Sequence, residues 1–498
     1  MKYVALALAL LALFRPASAA NDGVLLRDHV LKAFPSLLYV DKYRRAFPNE
    51  VQGTAPFWTD DGTDLRIDHP TQLIAALAEL QDPHVSLAGK SAGKPETLGL
   101  LFRTSSDGNM VVWRVFDASI SAVRMGEQVL AVDGVATQMW LQRAASMTFG
   151  GNRRGRYAEA ALDLGLGTSI VHRTAHLGNT VHLVVRSTSG ARRTITLAYR
   201  PMNGRRARAL AMALDKPDLP ATFTSSGERV AALRIGAFAA QYDPLFLAAS
   251  ARASKKQGAT DEQAMQAGYC AVASALIKRF DVVARDSDVI ILDLRGNLGG
   301  FDREARLEAD AIAPSTPART FDLFATGRPG IVRLAEQQFD PSCGRVAIRR
   351  PVVVLVDAGT RSSGELMAAW LWTSGAIIAG EHTAGAGGGL DYDAKGFPLP
   401  TSGFRVRMSG NFTVFDPALQ LNEGDWPERA IVAQMAADHF GPSRSRVFAF
   451  QSVGLRPDIA APTTLADLDD GGTAQVARIV TKVFAQQRLR NHAGDTRR

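Results

Sequence analysis

Val289-Ile290-Ile291-Leu292-Asp293-Leu294-Arg295-Gly296-Asn297-Leu298-Gly299-Gly300 and Pro351-Val352-Val353-Val354-Leu355-Val356-Asp357-Ala358-Gly359-Thr360-Arg361-Ser362-Ser363-Gly364-Glu365-Leu366 decide the fold. Each is an unbroken apolar run that stops at a turn of small residues. Runs without alternation suit strands covered on both faces, and a helix after each turn makes the pair an α/β unit. In such sheets function gathers at the strand ends, where turns and helix N-termini aim N–H groups into a cleft. The first turn ends in Gly-Gly, whose backbone can approach a ligand closely. The second presents serines at a helix start. A hydroxyl turn beside a glycine turn is what acyl transfer needs.

The rest of the chain bounds this unit. Its 498 residues suffice for two or three domains, and 46% hydrophobic with 21% charged residues is ordinary for a globular protein. The net charge is +8, but the basic residues are scattered, as at Arg153-Arg154, Arg192-Arg193 and Arg205-Arg206. No basic stripe interleaves with aromatics, so nucleic acid is not the expected partner. Residues 1–20 read as an export signal: Lys2, an apolar run from Val4 to Phe14 too short to span a bilayer, then Ala17-Ser18-Ala19. The expected location is therefore periplasmic or secreted. Cys270 and Cys343 are the only cysteines, and in an oxidising compartment they are candidates for a disulfide. Neither has the context of a metal site.

Along the chain, residues 21–92 read as helical, with Val30, Ala33, Phe34, Leu37 and Leu38, then Leu73, Ile74, Ala76, Leu77 and Leu80, at helical spacing. Pro83 ends the second of these. Residues 93–200 are β-rich. Residues 201–225, rich in Arg, Pro, Ser and Gly, read as a linker. Residues 226–490 form the α/β core, closed by a helix near 472–488.

Four segments in order carry a family resemblance. Asp293, Arg295, Asn297, Gly299 and Gly300 fit D-x-R-x-N-x-G-G. Thr360, Ser362 and Glu365 fit S-x-S-x-x-E. Gly380-Glu381-His382-Thr383-Ala384-Gly385 fits G-E-x-T-x-G, and Gly454-Leu455-Arg456-Pro457-Asp458-Ile459 fits G-V-x-P-D-I. Together they resemble the tail-specific (C-terminal-processing) serine peptidases and their tricorn-core relatives. Gly126-Glu127-Gln128-Val129-Leu130-Ala131-Val132-Asp133-Gly134 similarly resembles the G-D-x-I-L-x-V-x-G segment of PDZ domains. A PDZ-like domain precedes the core in that family and implies peptide docking by strand addition, with a carboxylate loop near Leu98-Gly99-Leu100-Leu101-Phe102.

The resemblance makes Ser362 the nucleophile. Taken locally, Ser362-x-x-Glu365 reads as a helix-capping box. Either way the hydroxyl sits where helix N–H groups favour an oxyanion, with the Ser363 and Gly300 amides as natural donors. The lysine base of the processing branch is replaced by Ala386, so the tricorn-like histidine base is expected instead. Leu80-Gln81-Asp82-Pro83-His84 matches its pattern and nominates His84; His382 is the competing base. The orienting acid of that branch precedes the closing motif, where this chain has Gln451. Asn422-Glu423-Gly424 resembles the same local pattern and nominates Glu423. The implied activity is that of a serine-type endopeptidase acting on peptide or unfolded protein, with no metal or organic cofactor. The residues Gln451 and Ala386 also leave open a catalytically silent protein that binds peptide or an apolar ligand on the same scaffold.

Overall fold

Helices α1 (Asp22–Ala33), α2 (Leu37–Ala46) and α3 (Pro70–Ala78) open the computed structural model. It describes residues 22–35, 37–46, 70–88, 95–167, 179–328, 330–339, 342–390, 396–435 and 446–495. The export-signal expectation lies outside the described residues. The helices do not stand alone. Leu26, Val30, Leu73, Ile74, Leu77 and Leu80 bury with Leu399, Phe404 and Val406 from far along the chain. Strand Ser86–Ala88 pairs antiparallel with Arg405–Arg407. The stop after α3 is thereby fastened to the core from both sides. Gln81 there takes a left-handed φ of 50°.

The β-rich region forms a sheet in the order β1 (Leu100–Thr104), β2 (Met110–Val115), β3 (Gln128–Val132), β4 (Thr180–Arg186) and β5 (Arg192–Ala198). Among the described residues two helices lie between β3 and β4: α4 (Thr137–Ala145) and α5 (Arg153–Leu166). Strand β1 is an edge strand, and α5 lies along its free side. The Leu98 N–H donates to the Gly165 carbonyl at 2.8 Å, and a Cβ on Gly165 would come within 2.4 Å of the Leu100 carbonyl. The last turn of α5 therefore packs against the start of the edge that peptide docking would use.

The expected linker is a correction of another kind. Residues Gly204–Leu214 form a helix, capped by Asn203, which accepts from the Arg206 N–H at 3.0 Å. Arginine, alanine and leucine are strong helix formers, and the Arg/Gly impression of the stretch hid them.

The core sheet runs β6 (Thr222–Ser225), β7 (Glu228–Arg234), β8 (Val289–Asp293), β9 (Val352–Val356), β10 (Ile377–Gly380) and β11 (Ile459–Ala460). All neighbours from β7 onward are parallel. Every residue of β8 and β9 is buried, as the unalternating runs require. Helices α6 (Asp261–Ala284), α7 (Asp302–Ile312) and α8 (Ser363–Thr373) help cover one face, and α9 (Thr473–Asp495) the other. A second, antiparallel sheet orders Gly388–Leu390, Ser409–Asp416, Arg319–Ala325, Ile331–Glu336 and Gly424–Pro427. Cys270 on α6 is joined to Cys343 by a disulfide, with Cα atoms 5.0 Å apart.

Candidate active site

The turns after β8 and β9 lie side by side and hold each other through backbone groups. Arg361 N–H donates to the Asn297 carbonyl at 2.9 Å, and Thr360 Oγ1 to the Leu294 carbonyl at 2.8 Å. The Asn297 side chain spans the glycine turn, donating to the Ile235 carbonyl at 3.0 Å and accepting from the Gly299 N–H at 2.8 Å. A Cβ on Gly299 would sit 2.7 Å from the Ser362 Cβ, so only glycine lets the serine pack there. Asp293 and Arg295 pair below this floor at 2.8 Å, joined by Arg234. Burial pushes the Asp293 carboxyl up, but the Arg295, Arg234 and Arg103 guanidinium groups outweigh it and hold it far below the carboxylate range.

Ser362 stands at the head of α8 with φ 53° and ψ −128°. A serine at positive φ is strained, and such strain marks sites where a side chain is presented rather than packed. Its Oγ lies 3.0 Å from Nε2 of His84, 278 residues earlier in the chain. The capping glutamate is also in place: Glu365 accepts from the Ser362 N–H at 3.1 Å. The same carboxylate accepts from the Gly385 and Ala386 N–H groups at 2.8 and 2.7 Å, and from the Thr383 hydroxyl. Glu365 therefore ties the serine turn to the loop where the lysine of the other branch is missing. Burial raises its pKa to about 7.

His84 is buried, and its Nδ1 faces Asp82 Oδ1 at 3.4 Å. Asp82 Oδ1 also accepts from the His84 backbone N–H at 3.0 Å, so the carboxylate sits under the ring it faces. Burial pushes the Asp82 carboxyl up, yet bonding from His84 outweighs it and holds the pKa below the usual value. The loop is held from outside as well. Arg361, next to the serine, donates to the Pro83 carbonyl at 3.1 Å and pairs with Glu159 of α5 at 2.9 Å.

Glu423 does not join this group. It lies exposed before the edge strand Gly424–Pro427 and accepts from the Glu336 N–H at 3.0 Å, as pairing with Ile331–Glu336 dictates. The acid facing the ring is Asp82, two residues from it. Gln451 is fully buried near the lysine-less loop, where a Cβ on Gly387 would meet its backbone at 3.0 Å. Among the described residues its amide finds no hydrogen-bond partner. His382 is exposed.

The nominated oxyanion donors flank the serine. Among the described residues neither the Gly300 nor the Ser363 N–H meets an acceptor. The Ser363 hydroxyl, by contrast, is buried, donating toward the Gly300 carbonyl at 2.9 Å and contacting Asp302. The sequence pattern revealed only the amide of Ser363; nothing in it pointed to the side chain as a brace for the Gly300 peptide. Asn152 was also missed, an N-cap of α5 whose amide donates to the Thr383 and Val453 carbonyls at 2.6 and 2.8 Å. Its Asn-x-x-Gly context was a cap signal, but no local signal names the loops it reaches. Among the described residues no group of His, Cys, Asp and Glu is arranged to hold a metal.

Residues 263–396 match the model of peptidase family S41. No curated protein matches the chain in sequence. In fold, the chain is similar to mature CPAF complexed with lactacystin, with a TM-score of 0.59 and 15% identity over 93% of this chain and 97% of that one. Mature CPAF alone gives a TM-score of 0.58 at 15% identity, over 93% and 96%. The fold and the family match together define a serine-type peptidase. Over residues 263–396 the chain is similar to peptidase family S41, the tail-specific group.

Proposed function

We propose that the protein is an exported serine endopeptidase that cleaves through Ser362 and His84. The observation that carries this reading is the 3.0 Å approach of His84 Nε2 to the strained Ser362 hydroxyl across the boundary between helical region and core. Ser362 Oγ attacks the scissile carbonyl while His84 Nε2 takes its proton. The tetrahedral oxyanion is stabilised by the Gly300 and Ser363 amides and the positive end of α8. His84 then passes its proton to the leaving amine, and water hydrolyses the acyl-enzyme by the reverse sequence. Asp82, whose Oδ1 lies 3.4 Å from Nδ1 with no hydrogen bond formed between them in the free enzyme, is the acid placed to orient the ring, the role that Gln451 and Glu423 leave unfilled. Export is supported by the Lys2, Val4–Phe14 and Ala17-Ser18-Ala19 pattern, and by a disulfide that suits an oxidising compartment.

A catalytically silent binder is the second reading, favoured by the neutral Gln451. A fluorophosphonate probe separates the two. The peptidase reading expects rapid, stoichiometric labelling at Ser362 that Ser362→Ala and His84→Ala both abolish. An unreactive wild-type serine overturns it.

A further inference from the structure

We infer that the PDZ-like domain does not read a substrate's C-terminus, because the last turn of α5 closes the carboxylate end of its groove, and that the substrates are internal segments of polypeptides. This rests on the peptidase reading above for the word substrate, and on separate geometry for the groove.

Capture of a C-terminal peptide by such a domain has two physical requirements. A strand edge must be free to pair with the peptide backbone, and the loop before it must offer N–H groups to the carboxylate. Here the loop is consumed and the edge is obstructed at its start. In the loop, the Leu98 N–H donates to the Gly165 carbonyl at 2.8 Å and the Gly99 N–H to Thr97 Oγ1 at 2.9 Å. Thr97 Oγ1 in turn donates to that same Gly165 carbonyl at 2.9 Å. The last turn of α5 thus supplies, from within the chain, the acceptor that a peptide carboxylate would bring. At the edge, Gly165 is pressed on the Leu100 carbonyl so closely that no side chain fits between them. The space left between β1 and α5 is a cavity of about 40 Å³, lined by Phe102, Trp113, Leu162, Leu298 and Arg361 among others. That is small beside the roughly 300–1,000 Å³ of ordinary ligand pockets.

The helix is also fixed at its other end, which separates a strut from a displaceable plug. At its N-terminus Asn152 binds the Thr383 and Val453 carbonyls, and Arg154 pairs with Glu381 at 3.2 Å. A Cβ on Gly151 or Gly155 would fall within 2.9 Å of the Ala384 carbonyl, so helix and catalytic loop are in backbone contact. Mid-helix, Glu159 pairs with Arg361 beside the nucleophile. Withdrawing α5 to admit a peptide tail would dismantle the loops that hold Glu365 and the serine turn. The helix therefore serves the site by staying where it is.

The experiment compares two peptides of one sequence, ending in a free carboxylate or a carboxamide, each with fluorophore and quencher flanking an internal bond. Full-length protein is expected to cleave both with kcat/KM values within two-fold. A ten-fold or greater preference for the acid overturns the inference. Binding to Ser362→Ala is measured in parallel, with the same two-fold and ten-fold limits; failure to bind either peptide also supports a filled groove. If neither peptide is cleaved, the peptidase reading suffers while the binding ratio still decides the groove. Residue-resolved amide exchange gives a check without ligand. The Leu98 N–H and the β1 amides should exchange as slowly as those of β8, and exchange within seconds would mean that α5 swings out.

Discussion

The turns after β8 and β9 and the α5 junction both press backbone on backbone, yet one announces itself in the sequence and the other does not. At the turns, two apolar runs fix the strands, and Gly-Gly and Ser-x-x-Glu stand where the strands must end. At the junction, Asn152, Gly155 and Gly165 are spread over an ordinary amphipathic helix, and their partners are carbonyls of Thr383, Val453, Ala384 and Leu100. Carbonyls carry no residue code. The difference teaches that a site made of strand ends is written locally, while the clamp that keeps two domains in register is written only in the pairing.

Ser362→Ala tests the written half with the largest effect. Loss of an activated nucleophile lowers kcat by about 10⁴–10⁶-fold. The cap half made by Glu365 remains, so a denaturation midpoint close to wild type is expected. Ser363→Ala belongs in the same assay. Its amide survives, but the hydroxyl that holds the Gly300 carbonyl is lost. A fall of about ten-fold in kcat with KM unchanged is expected, from a looser oxyanion donor. Equal activity in wild type and Ser362→Ala would remove the serine from the chemistry.

Asp82→Asn comes next. An amide can present the wrong partner to Nδ1 and stabilises the imidazolium less, which lowers kcat/KM by about 10²–10⁴-fold. The carboxylate's pKa is held below its ordinary value by His84, so its contribution to stability is full above the unfolded value of 3.8 and fades as pH falls through the folded one. Wild type should thus lose stability faster than the variant below about pH 4. Identical acid limbs would mean that the Asp82–His84 contact carries no energy.

The unwritten half is tested by Asn152→Ala. The change removes the cap that accepts from the Gly155 N–H and strands the Thr383 and Val453 carbonyls. A loss of about 2–4 kcal/mol is expected in urea unfolding. Activity should fall with it, because the Thr383 loop carries partners of Glu365. If stability falls and kcat does not, the clamp braces the domains without tuning the site.

Much of the site was legible because its chemistry sits at strand ends and helix starts. Ser362, nominated by motif order, and His84, nominated by the Leu80-Gln81-Asp82-Pro83-His84 resemblance, lie 3.0 Å apart, though the contact itself depends on Ser86–Ala88 pairing with Arg405–Arg407. That pairing joins strands some 300 residues apart and has no local signature. The helix at Gly204–Leu214 was illegible for a different reason. Three arginines and a leading glycine mimic linker composition, although the run Arg-Ala-Leu-Ala-Met-Ala-Leu is helix-forming. Glu423 looked apt because an Asn-Glu-Gly triplet is too short to say which edge strand follows it.

Glu365 gives a smaller, pH-dependent effect at the meeting point of the two halves. Its folded pKa of about 7 stands above its ordinary 4.5, so the folded state keeps the proton longer than the unfolded one. Stability from this group is therefore greatest below pH 4.5 and declines as pH rises toward 7. A decline on the order of 1–3 kcal/mol between pH 5 and 8 is expected from the group, read as the flattening of the pH–stability curve in Glu365→Gln. An unchanged slope in the variant would place the proton uptake elsewhere.

Glu423→Gln carries the smallest expected effect and for that reason discriminates well. The carboxylate is exposed and its one described bond is to the Glu336 N–H, an interaction the glutamine oxygen reproduces. Exposed polar changes of this kind stay within about 0.5 kcal/mol. Nothing couples it to His84, whose ring already faces Asp82. A change in kcat/KM below about two-fold is therefore expected, against the 10²–10⁴-fold loss for Asp82→Asn. The reverse ranking, with Glu423→Gln the more damaging, would require the edge strand Gly424–Pro427 to leave its sheet and carry the acid to the histidine during turnover. Such a movement would also release Trp426, whose indole N–H donates to the Asn422 carbonyl at 3.0 Å, so substrate-dependent tryptophan fluorescence from that strand would accompany it. A silent signal with an inert Glu423→Gln leaves Asp82 as the acid that orients the base.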